Sequence, residues 1–148
     1  MTQTTFLPIY LMDTSPIVRL DGKDNRPPTP PDFTVMERAL IWDGLEALAK
    51  DGRLKLIKQV RDELKAHNPD GLARLTAYKP AILNIYRTAD VWIQYQRIVS
   101  IYKGIAPKPG GRAIADPWLI VAAKRYGFTV VTMELSLQAR APTAPRKL

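Results

Sequence analysis

Leu54-Lys55-Leu56-Ile57-Lys58-Gln59-Val60-Arg61-Asp62-Glu63-Leu64 passes from one hydrophobic period to another with no turn residue between them. Leu54 to Ile57 reads as a short strand, and Val60 and Leu64, spaced i, i+4, mark one face of a helix that carries Asp62 and Glu63. A strand that leads straight into a helix is the unit of α/β folds.

The flanking sequence repeats that alternation. Ile9-Tyr10-Leu11-Met12 is a short apolar run that stops at Asp13-Thr14-Ser15-Pro16 and reads as a buried strand. Lys23 to Asp32 holds four prolines in ten residues and reads as a surface connection with polyproline character, in preference to a PxxP docking motif. Thr34-x-x-Glu37 is a capping box, and Ile41, Leu45 and Leu48 then fall on one helical face until Asp51-Gly52. After the turn Asn68-Pro69-Asp70-Gly71, Leu72 and Leu75 predict a short helix. The longest helical pattern runs from Ile82 to Tyr102, with Ile82, Ile85, Ala89, Trp92 or Ile93, and Gln96 on one stripe. Its aromatics Tyr86, Trp92, Tyr95 and Tyr102 are expected to pack inward rather than to form a base-stacking platform. Gly110-Gly111 lacks the Gly-Lys-Ser/Thr ending of a phosphate loop. Asp116-Pro117 reads as a helix cap followed by proline in the first helical position, Trp118 to Tyr126 as the helix, and Gly127 as its stop. Phe128 to Thr132 is a third, β-branched strand. The expected fold is α/β with a mainly parallel sheet.

Composition bounds the chemistry. Among 148 residues there is no cysteine and one histidine, His67. That removes thiol nucleophiles, Cys-ligated zinc and iron–sulfur clusters, and leaves a Ser-His-Asp triad or a multi-His metal site hard to build. Carboxylates, hydroxyls, Lys and Arg remain. The 22 Lys plus Arg exceed the 14 Asp plus Glu by eight, spread along the chain, which favours a polyanionic partner. No apolar run reaches the roughly 18–20 residues that span a bilayer, and the start lacks a signal-peptide pattern, so a cytoplasmic protein is expected.

In an open parallel sheet, ligands bind at the rim shared by the carboxyl ends of the strands and the amino ends of the following helices. Asp13, Glu63 and Glu134 fall on that rim. Asp116 opens the helix that leads into the last strand and, by the same topology, is expected at the opposite edge. Clustered carboxylates require a cation, and all-oxygen ligands select Mg²⁺ or Mn²⁺, which can activate water and neutralise charge on a phosphodiester. Taken singly, Asp116 is explained as a cap, Glu63 as a solvated helix acid and Glu134 as a loop residue. Asp13 is different, because an acid that terminates an apolar strand is costly unless something binds it.

Tyr10-Leu11-Met12-Asp13-Thr14-Ser15, Val60-Arg61-Asp62-Glu63-Leu64, Ala115-Asp116-Pro117-Trp118-Leu119-Ile120 and Val130-Val131-Thr132-Met133-Glu134 resemble, in order, the four acidic motifs of PIN domains. The nearest likeness is to a PIN-like group of bacterial proteins related to VapC-type toxins, in which Ile41-Trp42 also has a counterpart. The resemblance spans residues 9 to 134. It implies a three-layer α/β/α fold and a Mg²⁺- or Mn²⁺-dependent ribonuclease, often homodimeric and silenced by an antitoxin. It also implies that Asp116 joins the other acids. Asp13 and Asp116 would be the principal metal ligands, Glu63 a further ligand or water-orienting acid, and Glu134 the variable fourth acid. Thr14, Ser15 and Thr132 would be supporting hydroxyls.

Two features depart from the family. The fourth acid is Glu where Asp is usual, and the basic stretch 136–148 lacks the pattern of a final strand, so the domain is expected over 1–135 with a tail after it. A haloacid-dehalogenase-like phosphatase needs a second acid two residues after the first, where this chain has Ser15. A PIN-like module without catalysis, binding nucleic acid or protein, is the alternative.

Overall fold

The computed structural model describes residues 6–21, 33–85, 88–101 and 115–133. The proline-rich 23–32 stretch, Tyr86, Tyr102, the 106–112 loop, Glu134 and the basic tail lie outside these residues. The elements are β1 (Tyr10–Met12), α1 (Thr14–Asp21), α2 (Val35–Lys50), β2 (Leu54–Ile57), α3 (Lys58–His67), α4 (Pro69–Thr76), β3 (Ala81–Leu83), α5 (Ala89–Ile101), α6 (Asp116–Tyr126) and β4 (Thr129–Val131).

All strand pairs are parallel, in the order β3-β2-β1-β4. Tyr10 is flanked by Leu54 on one side and Thr129 on the other. Leu11, Met12, Leu54, Leu56 and Ile57 are all buried, as strands covered on both faces require. Helices α1, α3 and α4 pack on one another, α5 packs on α6, and α6 lies against β2 and β4, giving a three-layer α/β/α architecture. From β1 the chain moves outward through β2 to β3, then returns to place β4 on the far side of β1. The reversal makes the crevice between the carboxyl ends of β1 and β4 the topological switch point, the place where such sheets bind ligands. Among the described residues no helix is long and apolar enough to cross a membrane.

Local chemistry accounts for three of the helix ends. Both capping-box bonds form at α2: Glu37 N–H donates to Thr34 Oγ1 at 3.2 Å, and Thr34 N–H to Glu37 Oε1 at 3.0 Å. The Thr34 N–H, and after it the Thr34 side chain, hold the Glu37 carboxyl below its ordinary pKa. The Asn68 side chain caps α4 through Gly71 N–H, and Gly127 ends α6 in the left-handed region at φ 69°.

The structure departs from the sequence reading at one element and adds to it at two others. The helix expected from Ile82 starts only at Ala89, because Ala81–Leu83 is a strand in register with Lys55, Leu56 and Ile57 of β2. A run this short fits a strand or a helix end equally well, and only the neighbouring edge decides. After Asp13 the chain winds into α1, a helix absent from the sequence expectations, and it buries Ile17 and Leu20. In α2 the deepest side chain is Trp42, beyond the Ile41, Leu45 and Leu48 stripe, and it packs edge-on against Tyr78 with the Arg74 guanidinium 4.4 Å from its ring centre.

Candidate functional site

β1 ends on two buried apolar residues, so the next residue emerges at the carboxyl edge of the sheet. Asp13 N–H continues the ladder by donating to the Val131 carbonyl at 3.0 Å. Asp13 stays 5% exposed, and among the described residues three donors converge on its carboxylate. Thr14 N–H donates to Oδ1 at 2.7 Å, while the Ser15 and Thr132 hydroxyls donate to Oδ2 at 3.1 and 2.9 Å. Such bonds stabilise the charged form of a buried carboxylate and offset its desolvation. Among the described residues, they occupy both lone pairs of Oδ2 and leave one on Oδ1. Met133 N–H donates to Ser15 Oγ at 3.0 Å, so the β1–α1 turn is tied to the chain leaving β4.

α3 is oriented by Val60 and Leu64, both fully buried. With those two facing the core, the adjacent acids part. Asp62 is exposed beside Arg61 at 3.4 Å, whereas half-buried Glu63 accepts the Thr14 hydroxyl at Oε2, 2.7 Å, and Ala115 N–H at Oε1, 3.0 Å. Thr14 and Ala115 are the immediate neighbours of Asp13 and Asp116.

Asp116 is half-buried and is the first residue of α6; the cap position belongs to Ala115, which makes no side-chain cap bond. The expected cap role is thereby corrected. So is the expectation of the opposite edge, because the bond from Ala115 N–H to Glu63 places the start of α6 at the rim of β1 and α3. The reason is geometric: a helix that feeds a parallel strand runs antiparallel to it, so its end meets the strand's start and its own start meets the strands' carboxyl ends. The Glu63 carboxylate sits at the positive end of the α6 dipole, an arrangement worth about 0.3–1 kcal/mol, up to about 2 when partly buried.

The rim therefore gathers Asp13, Glu63 and the Asp116 backbone with Thr14, Ser15 and Thr132, and Glu134 follows Met133 outside the described residues. The Ala115 amide carried no signal in the sequence, since a backbone donor is the same in any residue type. Among the described residues no group of three or more His, Cys, Asp or Glu is arranged to hold a metal ion. Mg²⁺ does not demand one, since it keeps several waters and is commonly held by one or two carboxylates. The spare lone pair of Asp13 Oδ1 and the all-oxygen donor set fit such an ion.

The expected inward packing of the helical aromatics holds for Tyr95, which packs against the core, and fails for Trp92, while Tyr86 and Tyr102 lie outside the described residues. Tyr95 stacks on Trp118 at 4.3 Å and on Trp92 at 5.2 Å between ring centres, yet Trp92 is 40% exposed. Nearby, the Thr88 hydroxyl and the Arg125 guanidinium bond Asp90 and hold its carboxyl below the ordinary Asp range, while Asp90 raises Arg125. The Asp90–Arg125 pair joins α5 to the helix that begins with Asp116.

No curated protein and no solved structure matches the chain. The family model described as "Domain of unknown function (DUF4411)" matches residues 10–146, a span that takes in Asp13, Glu63, Asp116 and Glu134 and runs on through most of the basic tail. The chain belongs to the DUF4411 family.

Proposed function

We propose that the protein is a Mg²⁺- or Mn²⁺-dependent endoribonuclease of PIN type, the toxin of a toxin–antitoxin pair. The observation that carries this reading is Asp13: a buried carboxylate at the switch point, fixed by three donors with one oxygen lone pair left over. The order of the acidic motifs and their resemblance to PIN domains support the same chemistry. Asp13 and Asp116 would hold the cation, with Glu134 as the variable fourth acid that the resemblance implies. A bound divalent ion supplies an activated water and neutralises charge that develops on the phosphodiester. Ser15 and Thr132 orient Asp13, and the +8 net charge attracts the RNA backbone. An antitoxin and a second copy of the chain are the expected protein partners.

The test is cleavage of single-stranded and structured RNA by purified protein with Mg²⁺ or Mn²⁺. Cleavage should cease with EDTA and in Asp13→Asn. Undiminished cutting in EDTA sinks the proposal, and RNA binding without cleavage in either metal favours the non-catalytic module.

A further inference from the structure

We infer that Glu63 is a positioning residue that clamps the start of α6 to the β1–α1 turn and thereby sets the placement of Asp116 relative to Asp13; its bearing on metal rests on the ribonuclease reading above. Its two oxygens are committed to two elements far apart in sequence. Oε2 takes the Thr14 hydroxyl, 49 residues away, and Oε1 takes the Ala115 amide, 52 residues away. Each bond lands one residue from an acid proposed to hold the cation. Ala115 is the buried cap residue of α6, and the third helical residue, Trp118, offers no carboxylate for its amide, so Glu63 supplies from another helix the acceptor that the third-position Glu of a capping box would have given. Val60 and Leu64 fix α3 against the core on either side of Glu63, so the clamp is anchored at its base as well as at its tip.

The clamp and ligand roles differ in what they require of the side chain. A metal ligand of this type needs the negative charge. A clamp needs one acceptor for the Ala115 amide and one partner for the Thr14 hydroxyl. Glutamine meets both needs: its carbonyl oxygen accepts Ala115 N–H, and its amide nitrogen donates to Thr14 Oγ1, which reverses from donor to acceptor. Alanine meets neither.

The experiment compares the full chain with Glu63→Gln, Glu63→Ala and Asp13→Asn. Amide hydrogen exchange at Ala115 is followed by NMR without metal, Mn²⁺ binding by calorimetry without RNA, and RNA cleavage as kcat and KM separately. Ala115 should be protected in the wild type and in Glu63→Gln, and lose protection in Glu63→Ala while the rest of α6 keeps it. Glu63→Gln should bind Mn²⁺ within about threefold of wild type, since one hydrogen bond is exchanged for another. Glu63→Ala should lose about 10-fold or more in Mn²⁺ affinity and kcat, with KM little changed, as for other outer-shell supports of a metal site. Full Ala115 protection in Glu63→Ala overturns the clamp. Mn²⁺ affinity as low in Glu63→Gln as in Asp13→Asn overturns it in favour of a direct ligand. If the wild type neither binds Mn²⁺ nor cuts RNA, the ribonuclease reading fails, and Ala115 exchange still decides the clamp.

Discussion

Replacing Asp13 by Asn and by Ala separates the charge of the site from its hydrogen bonds. In Asp13→Asn the amide oxygen can still accept Thr14 N–H, the one donor of the three that cannot reverse. The amide nitrogen then donates toward Ser15 and Thr132, whose hydroxyls turn to accept. Three charge-assisted bonds become neutral, each weaker by roughly 0.5–1.5 kcal/mol, but the cost of burying a charge also disappears. The two changes oppose each other, and Asp13→Asn should unfold in urea within about 1 kcal/mol of wild type. Asp13→Ala strands Thr14 N–H and leaves the two hydroxyls to find each other, at 3.3 Å, or water. An orphaned buried donor costs about 1–3 kcal/mol, so a loss of about 2–4 kcal/mol is expected once the weakened hydroxyl bonds are added. Metal provides the second arm. At 100 times its Kd, Mg²⁺ should stabilise the wild type by about 2.7 kcal/mol, a rise of roughly 5–10 °C in Tm for a chain of this size, and most of that rise should vanish in Asp13→Asn. Urea denaturation and thermal melts, each with and without Mg²⁺, measure both arms. Asp13→Asn as unstable as Asp13→Ala, or stabilised by Mg²⁺ as much as the wild type, would refute the reasoning.

Two glycines should respond in opposite senses. At Gly71 an added Cβ would meet Ile17 Cγ2 at 2.9 Å and the Asn68 amide at 3.1 Å, so Gly71→Ala should cost about 1–3 kcal/mol in urea denaturation. Gly44 lies inside α2 with nothing within 4 Å of an added Cβ, so Gly44→Ala should stabilise by about 0.5–1 kcal/mol, and a loss of stability there would point to a contact not seen here. The folded Asp90 carboxyl is depressed by the Thr88 hydroxyl and then by Arg125, so the stability it contributes is present above its unfolded pKa, about 3.9, and is lost as pH falls through its lower folded value. Asp90→Asn should therefore melt below the wild type at neutral pH, and the gap should close in acid; a gap that widens in acid contradicts the assignment.

What the amino-acid sequence determined by itself is what neighbours a few residues apart decide. Thr34 and Glu37 reach each other's backbone amides across one helical turn, Gly127 supplies the left-handed residue that ends α6, and Val60 with Leu64 fixes the inner face of α3. Asp13 was legible for a related reason, since an acid directly after a buried strand needs partners and two of them, Thr14 and Ser15, come next in the chain. The tertiary structure decided whatever depends on a distant partner. Ala81–Leu83 is a strand because β2 offers an unpaired edge, and Trp92 stays exposed although it lies on a helical stripe of aromatics. Glu63 rather than Asp62 turns to the rim because one residue rotates the side chain by about 100° on a helix. Asp116 reaches the same rim because α6 runs antiparallel to the strand it feeds, and its tie to Asp13 passes through a carboxylate on a third element. Short-range sterics and hydrogen bonds are written in the spacing of residues, whereas contacts across 49, 52 and 119 positions exist only once the sheet order has closed the chain upon itself.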